Sequence, residues 1–207
     1  EVILAAEEFL NRKFPDNSAD AYLLLTVDGM SSTEIELAYH AVATRCLELG
    51  ALDVFMSDTD ERNESLWAAR SAFLEAIKAS TTEMDECDVV VPRLHVAEFI
   101  AFASSLQKKH GVRIRSFGHA GDGNLHIYIL RDELDEKAWK KTLGAVFKEL
   151  YDRAHELGDQ VSGEHGIGFA KKPYLVESLA PEVIALMKNI KQAFDPENIL
   201  NPGKVIG

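Results

Sequence analysis

The chain has 207 residues, 46% of them hydrophobic and 27% charged, and carries a formal net charge of −12 at pH 7. That length suffices for one large domain or two small ones with a real core. The acidic balance argues against a nucleic-acid or anionic-membrane partner, leaving room for a local basic pocket, and no apolar run or signal peptide points to a membrane or export.

The sequence opens on EVILAAEEFL, partway through an amphipathic helix and without an initiator Met, as expected of a piece of a longer protein. AYLLLTVDG (21–29) is a short apolar run ending in a turn signal and predicts a strand. SSTEIELAYHAVATRCLELG then predicts a helix. Ser31 and Glu34 have capping-box spacing, Ile35, Ala38, Val42, Cys46 and Leu49 keep a helical stripe, and Gly50 closes it. Cys46 and Cys87 are the only cysteines, too few for a disulfide framework or a thiolate zinc site, and read as reduced, mostly buried thiols. ALDVFM predicts a second strand, and a long helix follows from about Thr59 to Ala79.

CDVVVP (87–92) predicts a strand stopped by proline. Val96, Phe99, Ile100, Ala103 and Leu106 define a helix ended by Gly111. VRIRSFGH and NLHIYIL read as strands around the turn AGDG. Asp135 caps another helix through Trp139, Leu143, Val146, Leu150 and Leu157. A Gly-rich loop (161–168), short helices and the tail FDPENILNPGKVIG close the chain. A hairpin inside an order of strand, helix, strand, strand, helix predicts an α+β fold. It would be an antiparallel sheet flanked by helices, followed by a helical C-terminal segment.

His119 and His126 sit seven positions apart. With Gly121 and Asp122 at the hairpin tip, in a type II′ turn, His119 faces Asn124 and Phe117 faces His126. Side chains alternate with period two, so these four share one face and the histidines become diagonal neighbours, roughly 7 Å apart at the backbone. That face also carries Arg113, Arg115 and Tyr128. The opposite one carries Val112, Ile114, Ser116, Leu125, Ile127 and Ile129. A polar working face against an apolar buried one suits a half-buried sheet. An odd number of loop residues would instead separate the two histidines. A metal that does chemistry wants three protein ligands and an open position. SGEHGIG offers Glu164 as the third, leaving His165 free as a base whose ordinary pKa suits proton transfer near neutrality.

GHAGDGNLH, SGEHGIG and FDPENILNPGKV, in that order, resemble the C-terminal half of FAD-linked 2-hydroxy-acid dehydrogenases. These belong to the vanillyl-alcohol oxidase/p-cresol methylhydroxylase superfamily and include glycolate oxidase, D-lactate dehydrogenase and D-2-hydroxyglutarate dehydrogenase. The resemblance covers nearly the whole chain and is sharpest from Trp67 onward. It implies that residues 1–207 are the cap, or substrate, domain, with the N-terminal FAD-binding domain absent from this chain. It implies a divalent metal (Zn, Mn or Fe) on His119, His126 and Glu164, His165 as catalytic base, and Asn124 in the same pocket. Trp67 and Arg70 match a W-x-x-R motif whose Arg grips the substrate carboxylate. Asn201 and Lys204 would lie near the flavin.

The implied activity is oxidation of a small 2-hydroxy acid to the 2-oxo acid by an FAD-dependent dehydrogenase, this fragment being inactive without its FAD-binding half. No Gly-rich stretch has the strand-loop-helix context of a dinucleotide site, so FAD would be held mainly by the absent domain. Some hydroxyglutarate-type relatives place a Lys just before the Asp of the proline-ended strand. Here Glu86 and Cys87 precede Asp88, which favours D-lactate or glycolate. Arg93 is either a second anion contact or a surface charge. The implied partners are the substrate, the FAD-binding domain, an electron-acceptor protein or quinone, and a second copy in a homodimer. The implied location is cytoplasmic, or peripheral at the inner membrane through partner subunits. Two other classes compete: a stand-alone metal-dependent hydrolase or isomerase using bound water, and a non-catalytic α+β binding module.

Overall fold

The structure, a computed structural model, describes residues 2–14, 17–158 and 161–207. The chain divides into two compact units, residues 1–77 and 78–207.

The first unit is helical among its described residues. Helices α1 (Val2–Leu10), α2 (Ser32–Glu48), α3 (Asp60–Ser71) and α4 (Phe73–Ala79, running into the boundary) follow one another. Ser31 caps α2 as expected. Its hydroxyl accepts the Glu34 N–H at 3.3 Å, and the Glu34 carboxylate accepts the Met30 N–H at 2.9 Å. Thr59 caps α3 in the same way, and the long helix expected from there is broken at Ala72. Neither expected strand forms. Residues 21–27 and 52–56 are in no ladder, and Leu23 and Phe55 are 65% and 62% exposed. An apolar run becomes a strand only when a neighbouring strand takes up its N–H and C=O groups, and none of the described residues does so here. The stripe on α2 likewise stays outside a core, so Cys46 is only half-buried, whereas Cys87 is fully buried.

The second unit follows the expected order. It contains β1 (Met84–Val90), a 3-10 turn (Arg93–His95), α5 (Val96–His110), β2 (Arg113–His119), β3 (Asn124–Leu130), α6 (Glu136–Glu156), α7 (Lys172–Ser178) and α8 (Pro181–Phe194). The sheet is antiparallel in the order β1-β3-β2. Its inner face, with Cys87, Val89, Leu125, Ile127 and Ile129, packs in one core with Phe99 and Leu106 of α5 and with Val146 and Leu150 of α6. Ile127 and Ile129 are wholly buried, each worth about 1.5–3 kcal/mol in apolar area removed from water. Asp135 starts α6 by accepting the Ala138 N–H at 2.8 Å. Covering one face with two helices leaves the other face of the sheet for chemistry. Helices α7 and α8 form the expected C-terminal segment. The tail after them returns to the Gly-rich loop, the Val205 N–H donating to the Gly168 carbonyl at 2.8 Å.

Candidate metal centre and active site

The hairpin has the register that the alternation predicts: His119 pairs with Asn124 and Phe117 with His126. The turn differs in type. The Asp122 N–H donates to the His119 carbonyl at 3.0 Å, and the left-handed residue is Gly123 (φ 77°) rather than Gly121. The loop between the paired ends remains even-numbered, so the histidines stay on one face. Glycine at 123 is also a steric requirement, because a Cβ there would stand 2.0 Å from the Val91 carbonyl oxygen.

Strand β1 completes the face. Asp88 pairs with His126 and Glu86 with Tyr128, so both carboxylates join the histidine side. His126 is buried between three acids. Its Nδ1 lies 2.7 Å from Glu86 Oε1 and 4.0 Å from Asp88 Oδ1, and its Nε2 lies 3.1 Å from Glu164 Oε1. The hydrogen bond to Glu86 raises its pKa above the ordinary imidazole value. Burial opposes that rise, and the charges of Glu86, Asp88 and Glu164 add to it. His165 stacks on His126, with ring centres 5.1 Å apart and planes at 24°. His119 meets His126 edge-on at 6.0 Å.

The loop bearing Glu164 and His165 is clamped to the sheet by Asp88. This side chain is 1% exposed, and its Oδ2 accepts from Ser162 Oγ at 2.9 Å, Lys171 Nζ at 2.8 Å and the His165 N–H at 3.3 Å. Burial disfavours the Asp88 charge. The hydrogen bonds from Lys171 and Ser162, the Lys171 charge and the His165 N–H outweigh burial and hold the carboxyl below its usual range. Asp88 Oδ1 and Asn124 Oδ1 are buried without a hydrogen-bond partner among the described residues. Gly163 passes directly over Asn124, where a Cβ would stand 2.2 Å from that Oδ1.

The donors fit a divalent ion. His119, His126 and Glu164 each offer one ligand atom, all within 4.8 Å of one another. Around a tetrahedral ion, donors stand about 3.4 Å apart, given bonds of about 2.0–2.1 Å. His126 Nε2 and Glu164 Oε1 are already at 3.1 Å. Glu86 on the outer nitrogen of His126 supplies the carboxylate-histidine support that metal ligands use. The two unpartnered buried oxygens border the same site.

The sequence profile described as FAD linked oxidases, C-terminal domain, matches residues 1–205. The chain belongs to this family. A D-lactate dehydrogenase of Anaerostipes hadrus is 43% identical over 99% of this FAD-linked oxidase C-terminal domain and 44% of its own length. The glycolate oxidase subunit GlcD of Bacillus subtilis is 37% identical over 98% of the chain and 43% of its own length. A D-2-hydroxyglutarate dehydrogenase of Stutzerimonas stutzeri is 34% identical over 84% of the chain and 38% of its own length. The FAD-linked oxidase domain thus spans about two-fifths of each of these relatives.

Of the residues expected at the site, the structure brings together His119, Asn124, His126, Glu164 and His165. Arg70 belongs to the first unit. It lies near the C-terminal end of α3, with its guanidinium 6.0 Å from the centre of the Phe73 ring, and Trp67 is 54% exposed on the same helix. Asn201 and Lys204 are exposed on the tail, the Lys204 N–H donating to the Asn201 carbonyl at 3.3 Å. Arg93 is exposed in the 3-10 turn. Sequence reasoning missed Glu86, Asp88, Ser162 and Lys171 as parts of the site. The signal for the first two was present. Within MDECDVVV, Glu86 and Asp88 alternate with the buried Cys87 and Val89, which sets both carboxylates on one face.

Proposed function

We propose that this chain is the substrate- and metal-binding half of an FAD-dependent dehydrogenase that oxidises a small 2-hydroxy acid, D-lactate or glycolate, to the 2-oxo acid. The observation that carries the reading is the convergence of His119, His126 and Glu164 beside His165. The names of the first two relatives support the substrate class.

His119, His126 and Glu164 hold a divalent ion (Zn, Mn or Fe) in this reading. When bound, that ion supplies Lewis acidity at the substrate hydroxyl, and FAD supplies the two-electron acceptor. His165 takes the hydroxyl proton at Nε2 while C2 loses hydride, so two electrons and one proton leave C2 and a second proton leaves oxygen. Asn124, 5% exposed and with its Oδ1 unpartnered, gives the pocket a fixed polar wall. Lys171 and Ser162, through Asp88, hold the Glu164–His165 backbone still, which is the positioning part of the catalysis. Arg70 would receive the substrate carboxylate, and Asn201 and Lys204 would face the FAD-binding domain.

The partners this reading requires are an FAD-binding domain and an electron-acceptor protein or quinone; a homodimer is part of the same proposal. So is a cytoplasmic location, peripheral at the inner membrane through partner subunits. Among the described residues no helix is long and apolar enough to cross a membrane. The test is D-lactate- and glycolate-dependent dye reduction by the chain joined to an FAD-binding domain, with His165→Ala beside it. Turnover that falls at least 100-fold in the variant supports the assignment. Undiminished turnover in the variant removes His165 from it.

A further inference from the structure

One carboxylate oxygen stands beside two imidazoles. Glu86 Oε1 is 2.7 Å from Nδ1 of His126 and 3.4 Å from Nδ1 of His165. The second carboxylate of the strand lies on the same side, Asp88 being 4.0 Å from His126 Nδ1 and 3.7 Å from His165 Nδ1. The opposite nitrogens both turn to the loop. Glu164 Oε1 is 3.1 Å from Nε2 of His126 and 3.9 Å from Nε2 of His165. The stacked rings therefore point the same way, Nδ1 toward β1 and Nε2 toward the candidate metal centre.

A neutral imidazole carries one N–H, and the neighbour that accepts a hydrogen bond decides which nitrogen keeps it. Ionised carboxylates only accept, and the nearer one on each ring stands at Nδ1, Glu86 at 2.7 Å against Glu164 at 3.1 Å for His126 and 3.4 Å against 3.9 Å for His165, so the Nδ1 side is where the protons are held. Each Nε2 then presents a lone pair to the centre. We propose that Glu86 is the positioning residue of this site: it fixes both imidazoles as Nδ1–H tautomers, leaving His126 Nε2 to bind a divalent ion and His165 Nε2 to accept the substrate proton. The proposal rests on the reading given under Proposed function. Glu86 suits the task because β1 pairs with β3 along its whole length, which fixes the carboxylate's origin relative to His126. The side chain is also only 25% exposed, so water competes weakly for its oxygens.

A second grouping of the same residues makes a rival. Glu86, His126 and His165 also bring ligand atoms within 4.8 Å of one another. There Glu86 would bind the ion itself through the Nδ1 side, and each ring would carry its proton on Nε2.

Two measurements on the full chain decide. The first is the imidazole nitrogen-15 spectrum of the metal-free protein, followed upward in pH until the shifts stop changing. The second is Zn²⁺ affinity by chelator competition for the parent, Glu86→Gln, Glu86→Ala and His119→Ala. The expected result is protonated Nδ1 on His126 and His165 in the parent. Glu86→Ala loses that preference and weakens Zn²⁺ binding about 10–100-fold, while Glu86→Gln, which keeps an acceptor, loses less. Parent rings protonated on Nε2, or a folded Glu86→Ala protein with unchanged tautomers and Zn²⁺ affinity, overturn the proposal. Zn²⁺ affinity undisturbed by His119→Ala favours the rival grouping and overturns it as well. A parent that binds no Zn²⁺ removes the metal reading alone, and the tautomers still judge Glu86. Should Glu86→Ala fail to fold, the parent and Glu86→Gln spectra suffice.

Discussion

Lys171, just before α7, reaches Asp88 on β1 with its Nζ 2.8 Å from Oδ2. The two side chains are 12% and 1% exposed, so the pair is largely out of water. Removing one partner of such a pair leaves a buried charge without compensation. Lys171→Met is expected to cost about 3–5 kcal/mol in urea unfolding. Adding Asp88→Asn should recover a part of that, since the stranded charge is then gone. A Lys171→Met cost equal to that of an exposed pair, about 0–1 kcal/mol, would show the contact to be incidental.

Gly163 and Asn124 are matched by shape. A methyl at 163 would overlap the Asn124 amide, with 2.2 Å to Oδ1 and 2.5 Å to Cγ. One of the two must move, and both are held, Asn124 in the ladder with His119 and the loop by Asp88. Gly163→Ala is therefore expected to cost about 1–3 kcal/mol, measured by thermal unfolding. Asn124→Ala in the same chain makes room and should return most of it. Equal losses in the single and double variants would place the strain elsewhere.

The site was legible wherever a local rule sufficed. Period-two alternation around AGDG fixed which face carries His119, Asn124 and His126, and an even loop kept the register although the turn is of another type. What no local rule gives is which strand lies beside which. Glu86 and Asp88 enter only because β1 pairs with β3, and Lys171 enters from eighty-three residues away in sequence. The same gap explains the missing strands. The runs at 21–27 and 52–56 have strand composition, but composition does not supply a partner for their backbone. Helix ends, by contrast, were readable, because Ser31, Thr59 and Asp135 act on amides only three residues away.

The C-terminal tail should be acid-sensitive through Asp195. Its carboxylate accepts from Lys191 and from the N–H groups of Ile199 (3.0 Å) and Leu200 (2.9 Å). The Lys191 hydrogen bond is the main cause that holds its pKa below the usual value. Burial works against that, and the two amides and the Lys191 charge reinforce it. A depressed folded value gives stabilisation that is complete above the unfolded value of about 3.9 and is lost as pH falls through the folded one. Hydrogen exchange at Ile199 and Leu200, corrected for intrinsic rates, should show protection at about pH 6 and a loss that sets in only as the pH falls below about 3.9, through the depressed folded value. Asp195→Asn should lower protection at the higher pH and change little at the lower. Protection independent of pH in the parent would mean that the carboxylate does not hold this turn.

A metal on His119, His126 and Glu164 must stabilise the fold, because the unfolded chain does not assemble the three donors. Free Zn²⁺ at about 100 times its dissociation constant should add about 2.7 kcal/mol. At about 2–4 °C per kcal/mol for a chain of this size, that raises the melting temperature by about 5–11 °C. His119 is the variant to compare. It is exposed at the end of β2, so His119→Ala leaves the core intact while removing one ligand. The expected outcome is an unchanged metal-free melting temperature and a much smaller Zn²⁺ response. A full response in His119→Ala would move the ion to the grouping of Glu86, His126 and His165, and a parent with no response would leave the three donors without a metal to hold.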